Sequence, residues 1–120
     1  MPSHPVLVVE DDADVREAMV QVLLAAGHAA VPAGDGQEAL AQLDGGLEPC
    51  VILLDLMMPR MDGWAFIEHH RRRERQTPII VVSAYGSQEQ VRKTGVIAYM
   101  RKPVDIDALL AMIDEHCPQQ

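Results

Sequence analysis

The sequence predicts an α/β fold, a doubly wound five-stranded parallel sheet with helices on both faces. Short apolar runs alternate along the chain with segments of helical period, which is the order of elements typical of a parallel sheet. The run from Val51 to Leu54 is apolar without alternation, as in a strand covered on both faces. Polar residues directly follow most of the predicted strands, where open α/β sheets bind their ligands.

Length and charge narrow the possible functions. A chain of 120 residues fits one domain. The net charge of −8 argues against a nucleic-acid binder with broad phosphate contacts and favours cations or basic protein partners. The apolar runs are far shorter than the roughly 20 residues of a membrane span, and Met1 to Pro5 carries no signal-peptide pattern. The chain is therefore expected to be soluble and cytoplasmic, without membrane contact.

The chain has two cysteines, Cys50 and Cys117. They form no CxxC pair and have no histidine at metal-ligand spacing. The sequence therefore predicts two reduced, partly buried thiols rather than a disulfide.

The first strand is predicted from Val6 to Val9, a β-branched run too short for a helix. Asp12 is a suitable N-cap for the first helix, and Gly27 is a suitable C-cap. The buried stripe of this helix is predicted to consist of Val15, Met19, Val22, Leu23 and Ala26.

The second strand, from Ala29 to Ala33, contains Pro32. Proline lacks the N–H that a central strand needs, so this strand is expected at an edge of the sheet. A short helix should follow from Gly36 to Leu43 and end at Gly45-Gly46. The third strand is the run from Val51 to Leu54.

The third helix is predicted from Gly63 to about Arg73, with Phe66 and Ile67 on its inner face. The fourth strand runs from Ile79 to Val82 and ends at Ser83-Ala84. A short fourth helix is predicted from Ser87 to about Thr94.

The fifth strand is predicted from Val96 to Met100. The last helix begins after Asp105 as N-cap and has the clearest periodicity. Its apolar stripe consists of Ile106, Leu109, Leu110, Ile113 and Cys117.

Candidate site residues stand at the ends of four strands. They are Glu10 and Asp11 after the first strand, Asp55 after the third, Ser83 after the fourth and Lys102 after the fifth. Because the carboxyl ends of parallel strands gather along one rim, these side chains are expected to converge.

The convergence predicts a phosphate-handling site. Three neighbouring carboxylates repel one another unless a proton or a cation lies between them, and oxygen ligands favour Mg²⁺. Lys102 supplies a positive charge and Ser83 a hydroxyl donor for phosphoryl oxygens. Asp55, on the central strand, is the carboxylate best placed to accept a phosphoryl group.

With these motifs, the chain resembles the receiver domain of two-component response regulators from Val6 to about Cys117. The motifs are Val8-Val9-Glu10-Asp11-Asp12, Leu54-Asp55-Leu56-Met57-Met58-Pro59 with Asp62-Gly63, Ser83-Ala84, and Tyr99 before Lys102-Pro103. The resemblance implies a flavodoxin-like strand order, 2-1-3-4-5.

The resemblance also implies roles at the predicted site. Asp55 would accept a phosphoryl group from a phosphohistidine of a sensor histidine kinase or phosphotransfer protein. Mg²⁺ would be bound by Asp11, Asp55 and the Met57 carbonyl, with Glu10 acting through water. Such a domain is not an enzyme beyond catalysing its own phosphorylation and dephosphorylation.

Other residues would then transmit the signal. Ser83 would move onto the phosphoryl group, Tyr99 would turn inward behind it, and Lys102 would pair with the phosphate. The surface of the fourth helix, fifth strand and fifth helix would change and bind a downstream protein, with no direct nucleic-acid binding by this domain.

The sequence departs from the family pattern in two ways. The segment from Ser83 to Lys102 is shorter than the family norm by about one helical turn, so the fourth helix should be clipped or irregular. Residues 1–120 are expected to form a single receiver domain without a second domain. This fits either a stand-alone regulator or a receiver from a longer regulator or hybrid kinase.

Two other functions fit parts of the pattern. A Mg²⁺-dependent phosphohydrolase could use the same rim, but Met57 stands where such an enzyme needs an acid or base. A mononucleotide-binding module would need a glycine-rich loop after the first strand, where Glu10-Asp11-Asp12 stands instead.

Overall fold

The structure, a computed structural model, describes residues 4–58, 61–74, 76–92, 94 and 96–117, so Pro59 of the third-strand motif lies outside the described residues. Within these ranges five strands alternate with five helices. The strands are β1 (Val6–Val9), β2 (Ala30–Ala33), β3 (Val51–Leu54), β4 (Ile79–Ser83) and β5 (Ala98–Arg101). The helices are α1 (Ala13–Ala25), α2 (Gly36–Asp44), α3 (Gly63–Arg71), α4 (Gln88–Arg92) and α5 (Ile106–His116).

The strands form one parallel sheet in the order β2-β1-β3-β4-β5, which confirms the predicted fold class and strand order. β2 lies at an edge, as Pro32 predicts, and Pro32 itself is exposed opposite Val8 of β1. At the edge, the N–H that proline lacks is not needed for a second ladder.

Helices cover both faces of the sheet because strand side chains alternate between the faces. One core layer includes Leu7, Val9, Ile52, Leu54 and Val81 with Ala39, Leu43, Phe66 and Ile67 of α2 and α3. The other includes Val6, Val8, Val51, Leu53, Ile80 and Val82 with Val20 and Leu23 of α1 and Leu109 and Ile113 of α5. Burying one large aliphatic side chain stabilises the fold by about 1.5–3 kcal/mol. The two layers therefore hold the strand ends in fixed relative positions.

Four helices begin at an aspartate whose carboxylate accepts a hydrogen bond from a backbone N–H in the first turn. Asp12 accepts from Val15 at 3.2 Å, Asp35 from Glu38 at 2.8 Å, Asp62 from Ala65 at 2.9 Å and Asp105 from Ala108 at 3.2 Å. The predicted caps Asp12 and Asp105 are confirmed. Each such cap stabilises its helix by about 1 kcal/mol relative to alanine.

Helix α4 is short, as the sequence predicts. It has five residues, and Val91 is its buried side chain. β5 begins at Ala98 rather than Val96, although the Ile97 N–H already donates to the Ile79 carbonyl at 3.0 Å. The shortened segment thus crosses from β4 to β5 with little helix of its own.

Two members of the predicted helical stripes are exposed. Val15 is 38 % exposed and Ile106 is 37 % exposed. Both lie in the first turn of their helices, so they extend past the edge of the core. Val20, which lies outside the predicted α1 stripe, is buried.

The prediction of two reduced thiols is wrong. Cys50 and Cys117 form a disulfide, with their Cα atoms 5.4 Å apart. Cys50 directly precedes β3, and Cys117 is the C-cap of α5, so the bond joins the amino end of the central strand to the carboxyl end of the last helix. Packing brings these distant residues together, which composition and local spacing do not reveal.

In the part of the chain that the structure describes, no helix has the length and apolar character needed to cross a bilayer.

Candidate functional site

Four strands end at one rim of the sheet beside polar side chains. Glu10 follows β1, Asp55 follows β3, Ser83 ends β4 and Lys102 follows β5. The Asp55 N–H donates to the Val9 carbonyl at 3.1 Å, so the ends of β1 and β3 are level. The Lys102 N–H donates to the Ser83 carbonyl at 3.0 Å. Parallel pairing therefore assembles the predicted residues at one rim.

Glu10, Asp11 and Asp55 form the acidic cluster of this rim. One carboxylate oxygen from each residue lies within 4.8 Å of the other two. Glu10 is 5 % exposed and Asp55 7 % exposed, whereas Asp11 is open to solvent. A set of oxygen ligands with one open side fits a hard divalent cation such as Mg²⁺, which keeps several waters when bound to protein.

The Lys102 ammonium lies against two of these carboxylates. It forms an ion pair with Glu10, and its Nζ is 3.5 Å from Asp55 Oδ2. Burial alone would lower the pKa of Lys102, but the hydrogen bond and charge of Glu10, with the charge of Asp55, raise this pKa above its ordinary value. Lys102 therefore remains a cation next to the central carboxylate.

The pKa of Glu10 is strongly shifted by its position at the rim. Burial raises the pKa of Glu10 from 4.5 to about 7. The hydrogen bond from Lys102 lowers this pKa and the charge of Asp55 raises it, but the loss of water is the largest effect. Without a metal ion, ionised Glu10 therefore opposes folding.

This shift predicts a pH dependence for the metal-free protein. As the pH rises from 4.5 to 7, the folded state holds the Glu10 proton that the unfolded state has already released. The free energy of unfolding should therefore fall as the pH rises through this window. We expect a fall on the order of 2 kcal/mol from Glu10, measured by urea denaturation in EDTA.

The variant Glu10→Gln should remove this part of the pH profile. Glu17→Gln, which changes an exposed carboxylate on α1, is the matched control and should keep the wild-type profile. A wild type and a Glu10→Gln variant that lose stability in parallel over this window would refute the assignment.

Ser83 and Tyr99 lie around the loop that connects β4 to α4. Ser83 is fully buried, and its Oγ accepts a hydrogen bond from the Tyr85 N–H at 3.2 Å. The Tyr99 hydroxyl donates to the carbonyls of Tyr85 at 3.1 Å and Gly86 at 3.0 Å. The hydrogen bonds of the Tyr99 hydroxyl therefore go to the backbone of this loop rather than to the acidic cluster.

Backbone N–H groups help to orient the buried carboxylates. The Asp12 N–H donates to Glu10 Oε2 at 3.3 Å, and the Met57 N–H donates to Asp55 Oδ1 at 3.4 Å. Met57 thus lies beside Asp55, with its side chain half exposed, and the role of its carbonyl as a metal ligand stays a prediction.

Two residues that the sequence prediction did not assign to the site, Arg16 and Gly63, also shape the rim. Arg16 on α1 donates from Nη1 to the Glu10 carbonyl at 2.8 Å. A Cβ on Gly63 would lie 2.6 Å from both the Asp55 carbonyl oxygen and the Leu56 Cα. The sequence signal for Arg16 is a cation one turn into the helix that follows an acidic turn. The signal for Gly63 is a glycine directly after the cap Asp62.

Comparisons with known sequences agree with this geometry. A family model described as the response regulator receiver domain matches residues 6–114. The chain is 37 % identical over 112 residues to the Regulator of RpoS of Escherichia coli (strain K12), covering 90 % of this chain and 33 % of that protein. It is 32 % identical over 112 residues to the DNA-binding transcriptional regulator NtrC of Salmonella typhimurium, covering 91 % and 24 %. The chain thus spans a third or less of the length of these relatives.

Solved structures give the same result. A response regulator receiver protein from Pseudomonas putida has a TM-score of 0.88 at 34 % identity, covering 96 % of this chain and 99 % of that one. The receiver domain of the Francisella response regulator 1452 has a TM-score of 0.86 at 31 % identity, covering 93 % and 94 %. With its fold, its acidic rim and a family match over most of its length, the chain belongs to the response regulator receiver domains.

Proposed function

We propose that this receiver domain is a phosphorylation-dependent switch in which Asp55 accepts a phosphoryl group from a phosphohistidine. One observation carries the proposal: the central, 7 % exposed carboxylate has an ammonium 3.5 Å away and two further carboxylates within 4.8 Å. Membership of the family implies two-component signalling. The donor would therefore be a sensor histidine kinase or a phosphotransfer protein.

In the proposed transfer, an oxygen of the Asp55 carboxylate attacks the phosphorus atom. The bond between phosphorus and the imidazole nitrogen breaks, and its electron pair stays on that nitrogen. The other ring nitrogen of the phosphohistidine already carries a proton, so the products are a neutral imidazole and an acyl phosphate on Asp55. Lys102 stabilises the negative phosphoryl oxygens because its ammonium already lies beside Asp55.

Mg²⁺ would be held by Asp11, Asp55 and the Met57 carbonyl, with Glu10 acting through a water. When bound, it would supply positive charge to the crowded carboxylates and to the phosphoryl oxygens. Glu10 would also hold Lys102 in place through their ion pair until the phosphoryl group arrives.

The proposed switch runs through the loop between β4 and α4. A phosphoryl group on Asp55 would accept a hydrogen bond from the Ser83 hydroxyl. Ser83 Oγ accepts a hydrogen bond from the Tyr85 N–H, and the Tyr85 carbonyl accepts one from the Tyr99 hydroxyl. A movement of Ser83 would therefore displace the Tyr85 carbonyl to which Tyr99 donates. The surface of α4, β5 and α5 would change as a result.

The changed surface would bind a downstream protein, without contact of this domain with nucleic acid or membrane. Residues 1–120 would act as one receiver domain that catalyses only its own phosphorylation and dephosphorylation. A cytoplasmic location stays a prediction.

The test is intact-mass analysis after incubation with acetyl phosphate and MgCl₂. We expect the wild type to gain the mass of one phosphoryl group, and to gain none in EDTA. Asp55→Asn should abolish the gain because the amide is not a phosphoryl acceptor.

Asp12→Asn is the matched control. It changes an exposed neighbouring carboxylate into an amide that caps a helix equally well. It should be labelled like the wild type. Undiminished labelling of Asp55→Asn, or labelling in EDTA, would contradict the proposed function.

A further inference from the structure

We propose that Arg16 is a positioning residue that holds the peptide between Glu10 and Asp11, so that both carboxylates face Asp55. Its Nη1 donates to the Glu10 carbonyl oxygen at 2.8 Å. The inference rests on the proposed function, because it assumes that the acidic cluster binds Mg²⁺.

The Glu10 carbonyl needs such a partner because it lies just beyond the strand ladder. The Glu10 N–H donates to the Ala33 carbonyl of β2 at 3.1 Å, and the Val9 carbonyl accepts from Asp55 at 3.1 Å. These bonds end the pairing of β1, and Arg16 supplies the next donor. The peptide group between Glu10 and Asp11 is rigid and planar. A charge-assisted hydrogen bond to its oxygen fixes the orientation of this plane, and with it the directions in which the Glu10 and Asp11 side chains leave the main chain.

The guanidinium is itself confined. Arg16 is half-buried on α1. Its backbone N–H donates to the backbone carbonyl of the cap Asp12 at 2.8 Å, which fixes the main chain from which the side chain extends. On the other side, a Cβ added to Gly34 would lie 3.4 Å from Arg16 Nη1. Arg16 therefore lies between the acidic turn and the loop that follows β2.

Charge and positioning predict opposite effects of removing Arg16. A guanidinium near the acidic cluster repels a divalent cation, so its removal should tighten Mg²⁺ binding if charge alone matters. If Arg16 orients the peptide, its removal should weaken Mg²⁺ binding because the carboxylates lose their common orientation. Groups that orient metal ligands commonly change metal affinity by 10–100-fold.

The experiment is calorimetric titration of the full chain with MgCl₂, with the melting temperature of each variant measured in EDTA. Arg16→Met keeps the apolar stem and should raise the Kd for Mg²⁺ roughly tenfold. The matched control is Arg101→Gln, which removes an exposed cation at the end of β5 on the same rim. It should leave the Kd unchanged or lower it.

A Kd for Arg16→Met that is unchanged or lower would overturn the proposal, as would an equal rise in Arg101→Gln. A lower melting temperature with an unchanged Kd would show a purely structural role and would also overturn it. If Arg16→Met does not fold, Arg16→Gln is judged by the same criteria. Failure of the wild type to bind Mg²⁺ would refute the proposed function itself, and the role of Arg16 with it.

Discussion

Replacing Gly63 with alanine is expected to lower the free energy of unfolding by about 3 kcal/mol. The added Cβ would lie 2.6 Å from the Asp55 carbonyl oxygen and from the Leu56 Cα. Both are backbone atoms, which cannot rotate away as a side chain can. The Gly63 N–H also donates to the Leu56 carbonyl at 2.8 Å. The clash can therefore be relieved only by moving the start of α3 or the loop that carries Asp55.

Urea denaturation of Gly63→Ala measures this effect, and phosphoryl labelling should slow as well because the loop that carries Asp55 moves. Gly34→Ala is the matched control for the stability measurement alone: its Cβ would lie 3.3 and 3.4 Å from the ends of the Glu38 and Arg16 side chains, and movements of a few tenths of an ångström relieve these contacts. It should change stability by less than about 1 kcal/mol. Wild-type stability in Gly63→Ala would mean that the loop is not closely packed against α3.

The fold could be predicted from the sequence because local signals and global topology agree. The unbroken apolar run of β3 has both faces buried in the structure, and Pro32 lies on an edge strand. Element ends were less accurate: α3 ends at Arg71 rather than near Arg73, and β5 starts at Ala98. These ends depend on hydrogen bonds to neighbouring elements, which periodicity does not contain.

The site could be predicted in outline for a topological reason. Once the sheet is parallel, residues directly after its strands must share one rim, so Glu10, Asp55 and Lys102 come together. Their environments could not be predicted in this way. The burial that raises the pKa of Glu10 to about 7 depends on packing around the end of β1.

Features that depend on contacts between different elements of the fold were not predicted. Arg16 has its role because the Glu10 carbonyl lies past the last bond of a ladder. Gly63 has its role because α3 begins in contact with the backbone of the loop that carries Asp55. The cysteine pair is the plainest case, since its members are 67 residues apart and meet only when α5 packs on the sheet.

Breaking the disulfide is expected to give the largest loss of stability. Cys50 and Cys117 close a loop with a sequence separation of 67 residues. In the chain-entropy model, a disulfide that closes a loop of this length removes entropy from the unfolded chain and so stabilises the folded state by about 4 kcal/mol. For a domain of this size, this corresponds to a fall in melting temperature on the order of 10 °C or more. The measurement is thermal unfolding of the oxidised wild type with and without dithiothreitol.

Cys50→Ala is the matched variant because it removes the bond at the half-buried partner and leaves Cys117 in the core. It should melt close to the reduced wild type, and dithiothreitol should not change its melting temperature. Phosphoryl labelling of Asp55 should survive in this variant at temperatures where it is folded, because the bond lies at the opposite end of β3 from the acceptor. If dithiothreitol leaves the wild-type melting temperature unchanged, or if the unfolded, oxidised wild type reacts with two equivalents of a thiol reagent, the cysteines are not joined and α5 is held on the sheet by packing alone.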